Sequence, residues 1–272
     1  MVTLYHYAGA TCATKTLLTL YEKGVAFDEE IVTPQRLDSE EYRRLNPDGV
    51  VPTLVDGGTV LNESSVIMVY IDEAFEGPVL TPQSPALRAR MNWWLKTVDS
   101  AFDALRVFSF AIFVRDKLAS LAPDVLEKKL QQIPYYAWRE ERRRLVADGP
   151  YAEDALPAIQ QIVALQAKAE RALQDQAYLV GDYTLADAAL TPFINRFERL
   201  GVMLNADQAP NLAEWWSRMK ERPSYSAAIA DRTTQASLDA AKAGRERFED
   251  RINELLEHKE CQRALRDFQS PE

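Results

Sequence analysis

Only two cysteines, Cys12 and Cys261, occur in 272 residues, and they lie far apart. They make no disulfide framework, so a reducing compartment is expected. No apolar run approaches the length that spans a bilayer, and no charged and apolar leader precedes the first strand pattern. A cytoplasmic location without membrane contact is expected by elimination. Cationic excess is missing as well: 41 acidic residues face 32 lysines and arginines, a formal charge of −9. That balance argues against nucleic acid as the partner, because phosphate binding needs a cationic surface. No metal-ligand spacing, phosphate loop or nucleophile elbow appears, so no metal is expected. There is no internal repeat and no low-complexity tract.

What is present is an ordinary globular composition with a patterned N-terminal third. Residues 2–7 have strand composition, and Ala8 to Thr11 is a short loop. Residues 12–23 read as a helix, with Leu17, Leu18, Leu20 and Tyr21 at helical spacing and Gly24 just past the end. Residues 26–32 read as a second strand, and Ser39 to Leu45 as a short helix capped by Ser39. Asn46 to Gly49 is a turn. Residues 50–55 form a strand entered through Pro52, Asp56-Gly57-Gly58 turns a hairpin, and Thr59 to Leu61 returns. Residues 63–75 are a helix.

Pro78, Pro82 and Pro85 then punctuate a linker, and the strand signal ends. Helical patterns cover about 86–114, 155–175, 187–200 and 211–220. Residues 115–154 read as an irregular insert with Pro123, Pro134, Pro150 and a basic cluster at Arg139, Arg142, Arg143 and Arg144. Residues 235–268 are charged and amphipathic, which suggests one long terminal helix. The expected division is therefore 1–80, a linker at 81–87, a helical domain at 88–232 and an extension at 233–272.

Four features bear on chemistry, each with a plain structural alternative. Cys12 opens a helix, where free N–H groups and the dipole lower a thiol's pKa; otherwise it is a small buried hydrophobe. Val51-Pro52 enters a strand after a turn. If that bond is cis, Val51 offers its N–H and C=O to an extended ligand; if trans, it is an ordinary strand start. Glu63-Ser64 starts a helix and suits an α-amino acid head group, Glu63 for the ammonium and Ser64 with the helix amides for the carboxylate, or is simply a cap. Thr184 and Asp187 have capping-box spacing and read as structural. His6 reads as packed, His258 as isolated, and Trp93, Trp94, Trp215 and Trp216 as core or interface anchors.

Together, Asn46-Pro47-Asp48-Gly49-Val50-Val51-Pro52-Thr53-Leu54, Glu63-Ser64, the proline linker, Thr184-Leu185-Ala186-Asp187 and Glu221-Arg222-Pro223 resemble the cytosolic glutathione transferase superfamily over about residues 3–230. The resemblance implies an α/β thioredoxin-like N-terminal domain, an all-α C-terminal domain, and glutathione as co-substrate in a cleft between them. Val51 and Pro52 would meet its cysteinyl backbone, and Glu63 and Ser64 its γ-glutamyl group. Cys12 would face the sulfur as the catalytic residue, with Thr11 and Thr14 completing the cofactor-binding set. Tyr7 is a reserve for thiolate stabilisation. Tyr5-His6-Tyr7, Cys12 and Lys15-Thr16 are similar to the tetrachlorohydroquinone reductive dehalogenase branch, with Ala13 in place of a serine. Leu20 to Gly24 and the insert are similar to the lignin β-etherase branch, which has Asn-Ser at Cys12-Ala13.

The implied function is attack of the glutathione thiol on a small aromatic electrophile, by ether cleavage, dehalogenation or conjugation, in aromatic catabolism. Two alternatives remain open: a cysteine-type thiol transferase or deglutathionylating reductase, and a non-catalytic module binding a protein partner. The resemblance also implies a homodimer.

Overall fold

A computed structural model describes residues 1–133 and 135–269. The expected break at Pro134 and the last three residues of the tail lie outside the described residues.

Strand β1 (Val2–His6) leads through a short loop into α1 (Thr11–Lys23). Then come β2 (Phe27–Ile31), α2 (Pro34–Leu37), α3 (Glu40–Leu45), β3 (Thr53–Asp56), β4 (Thr59–Leu61) and α4 (Ser64–Ala74). The sheet order is β2-β1-β3-β4. The α1 crossover makes β1 and β2 parallel, whereas the two-residue turn at Gly57-Gly58 makes β3 and β4 antiparallel. Gly24 closes α1 at φ 70°, donating its N–H to the carbonyls of Leu20 and Tyr21. Ser39 caps α3 by accepting from the Tyr42 N–H at 3.2 Å. Helix α2, capped by Thr33, carries no periodic signal because it is one turn long.

The expected helix over 86–114 is in fact three pieces: α5 (Pro85–Ser100), α6 (Phe102–Ser109) and a π-helical turn (Phe110–Val114). The break at Ala101 keeps near-helical angles, so the apolar spacing runs through it. Residues 115–154 are not irregular. They form α7 (Arg115–Ala119), α8 (Pro123–Gln131), α9 (Tyr136–Asp148) and a 3₁₀ turn (Gly149–Tyr151). Pro123 starts a helix rather than breaking one, because the first helical position needs no N–H donor. There follow α10 (Ala155–Ala172), α11 (Leu185–Leu200), α12 (Pro210–Lys220) and α13 (Pro223–Tyr225). The single terminal helix is corrected to three: α14 (Gln235–Arg247), α15 (Glu249–Glu257) and α16 (Lys259–Gln269). The chain turns at His258, whose ψ of 139° is extended and whose Nδ1 accepts from the Glu260 N–H at 3.3 Å.

The chain divides into two compact units. One contains Met1–Asp99, Ala172–Ile194 and Ala213–Thr234. Its sheet core holds Leu4, Leu18, Leu54, Ile67 and Ile71, all essentially without solvent exposure, and α1 packs against α4. In the same unit Asp187 realises the capping box. Its carboxylate accepts from the Thr184 N–H at 3.0 Å, the Leu179 N–H at 3.0 Å and Trp215 Nε1 at 2.8 Å. Burial pushes this carboxyl up to about 6 against those hydrogen bonds.

The other unit contains Ser100–Arg171, Asn195–Leu212 and the chain from Gln235 on. Phe108, Leu145, Ile159, Ile162 and Phe197 fill its core. Here α14 lies against the π turn. A Cβ on Gly244 would stand 2.5 Å from the Ile112 carbonyl oxygen, so only glycine permits that approach. No helix among the described residues is long and apolar enough to cross a membrane. No cluster of three or more metal-ligating side chains occurs among them.

Candidate functional site

Cys12 is the second residue of α1, whose first turn has no capping side chain and no acid. The thiol is not lowered, as its position at the helix start suggested. Burial pushes it up to about 11. Lys15 and a hydrogen bond to Ser64 pull the other way, and Asp99 and Glu63 reinforce the rise. Desolvation therefore outweighs what the helix end offers. Two of the expected residues, Cys12 and Ser64, meet directly in this way.

Ser64 is buried at the first position of α4. Glu63 precedes the helix rather than lying in it, and its side chain is exposed. Its φ of 69° is the only positive value at a non-glycine among the described residues. A β-carbon in that region costs on the order of 1–3 kcal/mol, and such residues concentrate at ligand sites. The geometry leaves the Glu63 carboxylate in solvent beside buried Ser64.

The Val51-Pro52 peptide bond is cis. Val51 is half-buried and Pro52 buried. Behind them sits a polar cluster that holds the preceding carbonyl. The Val50 oxygen accepts from Tyr42 Oη at 2.6 Å and from Asn46 Nδ2 at 2.9 Å. Thr53 Oγ1, fully buried, donates to Asn62 Oδ1 at 2.9 Å, and Asn62 Nδ2 donates to the Leu45 carbonyl at 3.0 Å. Thr11 is half-buried beside Cys12. Thr14 is buried and donates its hydroxyl to the Ala10 carbonyl at 3.0 Å, which leaves only its lone pairs for anything else.

Lys15 counts in the sequence only towards a resemblance, and its burial beside Cys12 is not foreseen there. It is fully buried, one helical turn from Cys12, and donates to Ser65 Oγ at 2.7 Å and Asp99 Oδ1 at 2.5 Å. A lysine three residues after a helix-opening cysteine lies on its face, which is the signal available in the sequence. His6 is also buried and meets Glu29 Oε2 at 2.8 Å through Nε2. Burial lowers its pKa, so it is neutral at pH 7.

The fold is a four-stranded mixed sheet of thioredoxin type followed by helices, in which Cys12 meets Ser64 and has Lys15 near by. The comparisons with known proteins agree. A model of the glutathione S-transferase N-terminal domain matches residues 4–79, and one of the C-terminal domain matches residues 106–223. Protein LigF of Sphingobium sp. strain SYK-6 is 29% identical over 230 residues, 81% of this chain and 90% of that one. The crystal structure of β-etherase LigF from that strain superposes with a TM-score of 0.75 at 28% identity, covering 85% of this chain and 99% of that one. The tetrachloro-p-hydroquinone reductive dehalogenase of Sphingobium chlorophenolicum is 30% identical over 237 residues, 84% of this chain and 95% of that one. A theta-class transferase from Xanthomonas axonopodis pv. citri, solved with glutathione bound, matches at TM-score 0.63 and 28% identity, over 84% of this chain and 97% of that one. The chain belongs to the glutathione transferase family. It is an enzyme of that family, with glutathione as its co-substrate.

Proposed function

We propose that the protein transfers the glutathione thiol to a small aromatic electrophile, with Cys12 at the glutathione sulfur. One observation carries this reading: Ser64 hydrogen-bonds the Cys12 thiol, and buried Lys15 acts on that thiol as a nearby charge. Glu63 takes the γ-glutamyl ammonium and Ser64, with the α4 amides, its carboxylate. Val51 pairs its backbone with the cysteinyl residue beside Pro52. Thr11 lies beside the same loop, and Thr14 offers its lone pairs only.

Because burial keeps the Cys12 thiol protonated at neutral pH, its first role is to donate a hydrogen bond to the glutathione thiolate. Lys15 adds positive charge where negative charge develops. The thiolate forms a carbon–sulfur bond as the carbon–oxygen or carbon–halogen bond breaks. Its pair leaves on phenolate or halide, and the thiol proton goes to solvent. The names of the two Sphingobium relatives, one a β-etherase and one a reductive dehalogenase, favour an aromatic ether or halide. A homodimer in the cytoplasm, working in aromatic catabolism, is part of the same reading.

A panel of aryl-ether, chloroaromatic and glutathionyl-conjugate substrates, run on wild type and Cys12→Ser, tests it. Ether or halide turnover retained within about tenfold in Cys12→Ser supports the hydrogen-bond role, since serine also donates. Turnover of conjugates alone, lost in Cys12→Ser with a mixed disulfide trapped on Cys12 in the wild type, would replace this reading with a deglutathionylating reductase. No turnover and no thermal stabilisation by glutathione would replace it with a binding module.

A further inference from the structure

The basic cluster on α9 is four arginines in six residues, and the structure separates one from the rest. Arg139 donates to Gln131 Oε1 at 2.6 Å and to the Ile133 carbonyl at 3.1 Å. Arg143 is paired with Glu127 and Glu140, and Arg144 with Asp154 and Glu153. Arg142 has no hydrogen bond and no ion pair among the described residues, and its Nε is buried without a partner. The adjacent carboxylate, Glu141, is already held at both oxygens by Arg106, at 2.7 and 3.1 Å.

Arg142 is nevertheless half-buried, with its guanidinium carbon 3.8 Å from the ring centroid of Phe110 in the π turn. Burial, with the nearby Arg106, holds its pKa down to about 10, so it remains charged at pH 7. Glu141 acts on it only as a nearby charge, so the guanidinium is partly desolvated without a hydrogen-bonded anion, which is an unfavourable arrangement. The π-helical turn beneath it is a local geometry frequent at functional positions.

Four residues before Arg142, and so on the same face of α9, stands Trp138. Its side chain is 47% exposed although it is an indole. Tyr135 meets it edge-on at 4.8 Å, and Arg106 stacks over it at 5.6 Å. An exposed aromatic pair is thus one helical turn from the Arg142 guanidinium, which lies on Phe110 and has no hydrogen-bond partner among the described residues. A fork presents two parallel donors that match a carboxylate, and an exposed indole offers a flat apolar surface to a ring.

We propose that Arg142 and Trp138 form a binding subsite for a small aromatic carboxylate, the anion on the Arg142 fork and the ring against Trp138. All the residues involved lie in the unit that begins at Ser100. The subsite therefore stands apart from the glutathione reading, and its test needs no glutathione. The second guanidinium nearby, Arg106, is already held by Glu141, so the site favours a singly charged planar anion over a doubly charged phosphate group.

Titration of the full chain with benzoate, followed by calorimetry and by indole fluorescence, decides the matter. Benzyl alcohol and cyclohexanecarboxylate serve as the uncharged and the non-aromatic probes. Saturable benzoate binding is expected, with both comparison probes weaker. Arg142→Gln should weaken benzoate by about 10- to 100-fold, the value of a charge-assisted hydrogen-bonded pair. Arg142→Lys should fall between, keeping the charge but not the fork. Trp138→Ala should weaken benzoate while lowering the melting temperature by no more than a few degrees, because about half of the residue is already exposed. Benzoate binding that is absent, unaffected by both Arg142→Gln and Trp138→Ala, or matched by benzyl alcohol would overturn the proposal. Equal binding of cyclohexanecarboxylate would overturn its aromatic part.

Discussion

Lys15 Nζ lies 2.5 Å from Asp99 Oδ1, with none of the lysine side chain in solvent and about a third of the aspartate exposed. The buried cation is therefore held by a carboxylate that water still reaches, one helical turn from Cys12. Replacing the lysine by an apolar residue removes the charge together with its desolvation, whereas removing the aspartate leaves the charge behind. Lys15→Met should keep the melting temperature within a few degrees and lower glutathione-dependent turnover at least tenfold. Asp99→Asn should cost about 1–2 kcal/mol, less than the 3–5 of a fully buried pair because Asp99 is partly screened. Chemical denaturation and steady-state kinetics on the two variants separate these effects.

The elevated Cys12 thiol makes a second prediction. A pKa near 11 places far less thiolate at pH 7.5 than a free cysteine carries. The higher basicity returns part of that loss through nucleophilicity, so alkylation should run about tenfold slower than for a free thiol. The rate should keep rising past pH 10, and Lys15→Met should slow it further. Iodoacetamide labelling followed by mass spectrometry reads Cys12 apart from fully buried Cys261. A labelling midpoint below pH 8 would contradict the structure.

Asp187 gives stability a pH dependence of known sign. Its carboxyl titrates near 6 when folded and about 3.9 when unfolded. The folded state thus holds the proton more tightly. The stabilisation is complete below about pH 3.9 and is lost as pH rises through 6. Its size is on the order of 3 kcal/mol. Asp187→Asn cannot titrate, so the stability difference between wild type and this variant should shrink from pH 4.5 to pH 7 in urea melts. Asp187→Ala should be much worse at either pH, because it strands the buried Leu179 and Trp215 donors.

Gly244 provides a test of how the terminal helices are held. Gly244→Ala would drive a Cβ to 2.5 Å from the Ile112 carbonyl. Helix α14 must then shift, costing about 1–3 kcal/mol. Hydrogen exchange should accelerate in α14 and in the turn at 110–114, with the β-sheet unaffected.

The thioredoxin-like part was readable in the sequence because its signals are local. The strand composition of β1, the glycine after α1, the Gly57-Gly58 turn and the Ser39 cap each act within a few residues. The Thr184–Asp187 box was readable for the same reason. What it also holds, Trp215, lies 28 residues further on and leaves no trace in spacing. The insert was misread because Pro123 is equally a breaker and a first helical residue, and only packing chooses between them. The burial of Lys15 was missed because a lysine reads as solvated, while its partner Asp99 is 84 residues away. Of the four arginines on α9, the sequence could not show that Arg143 and Arg144 had found acids, Arg139 an amide and a carbonyl, and Arg142 neither.

Glu63 carries one more consequence. A left-handed backbone suits glycine or asparagine better than glutamate, and relieving it is worth about 1 kcal/mol. Random variants selected only for heat resistance should drift towards glycine at this position. Variants selected for turnover should hold the acid. Opposed preferences at one codon would mark it as a place where the chain gives up ruggedness to keep a carboxylate in solvent beside Ser64.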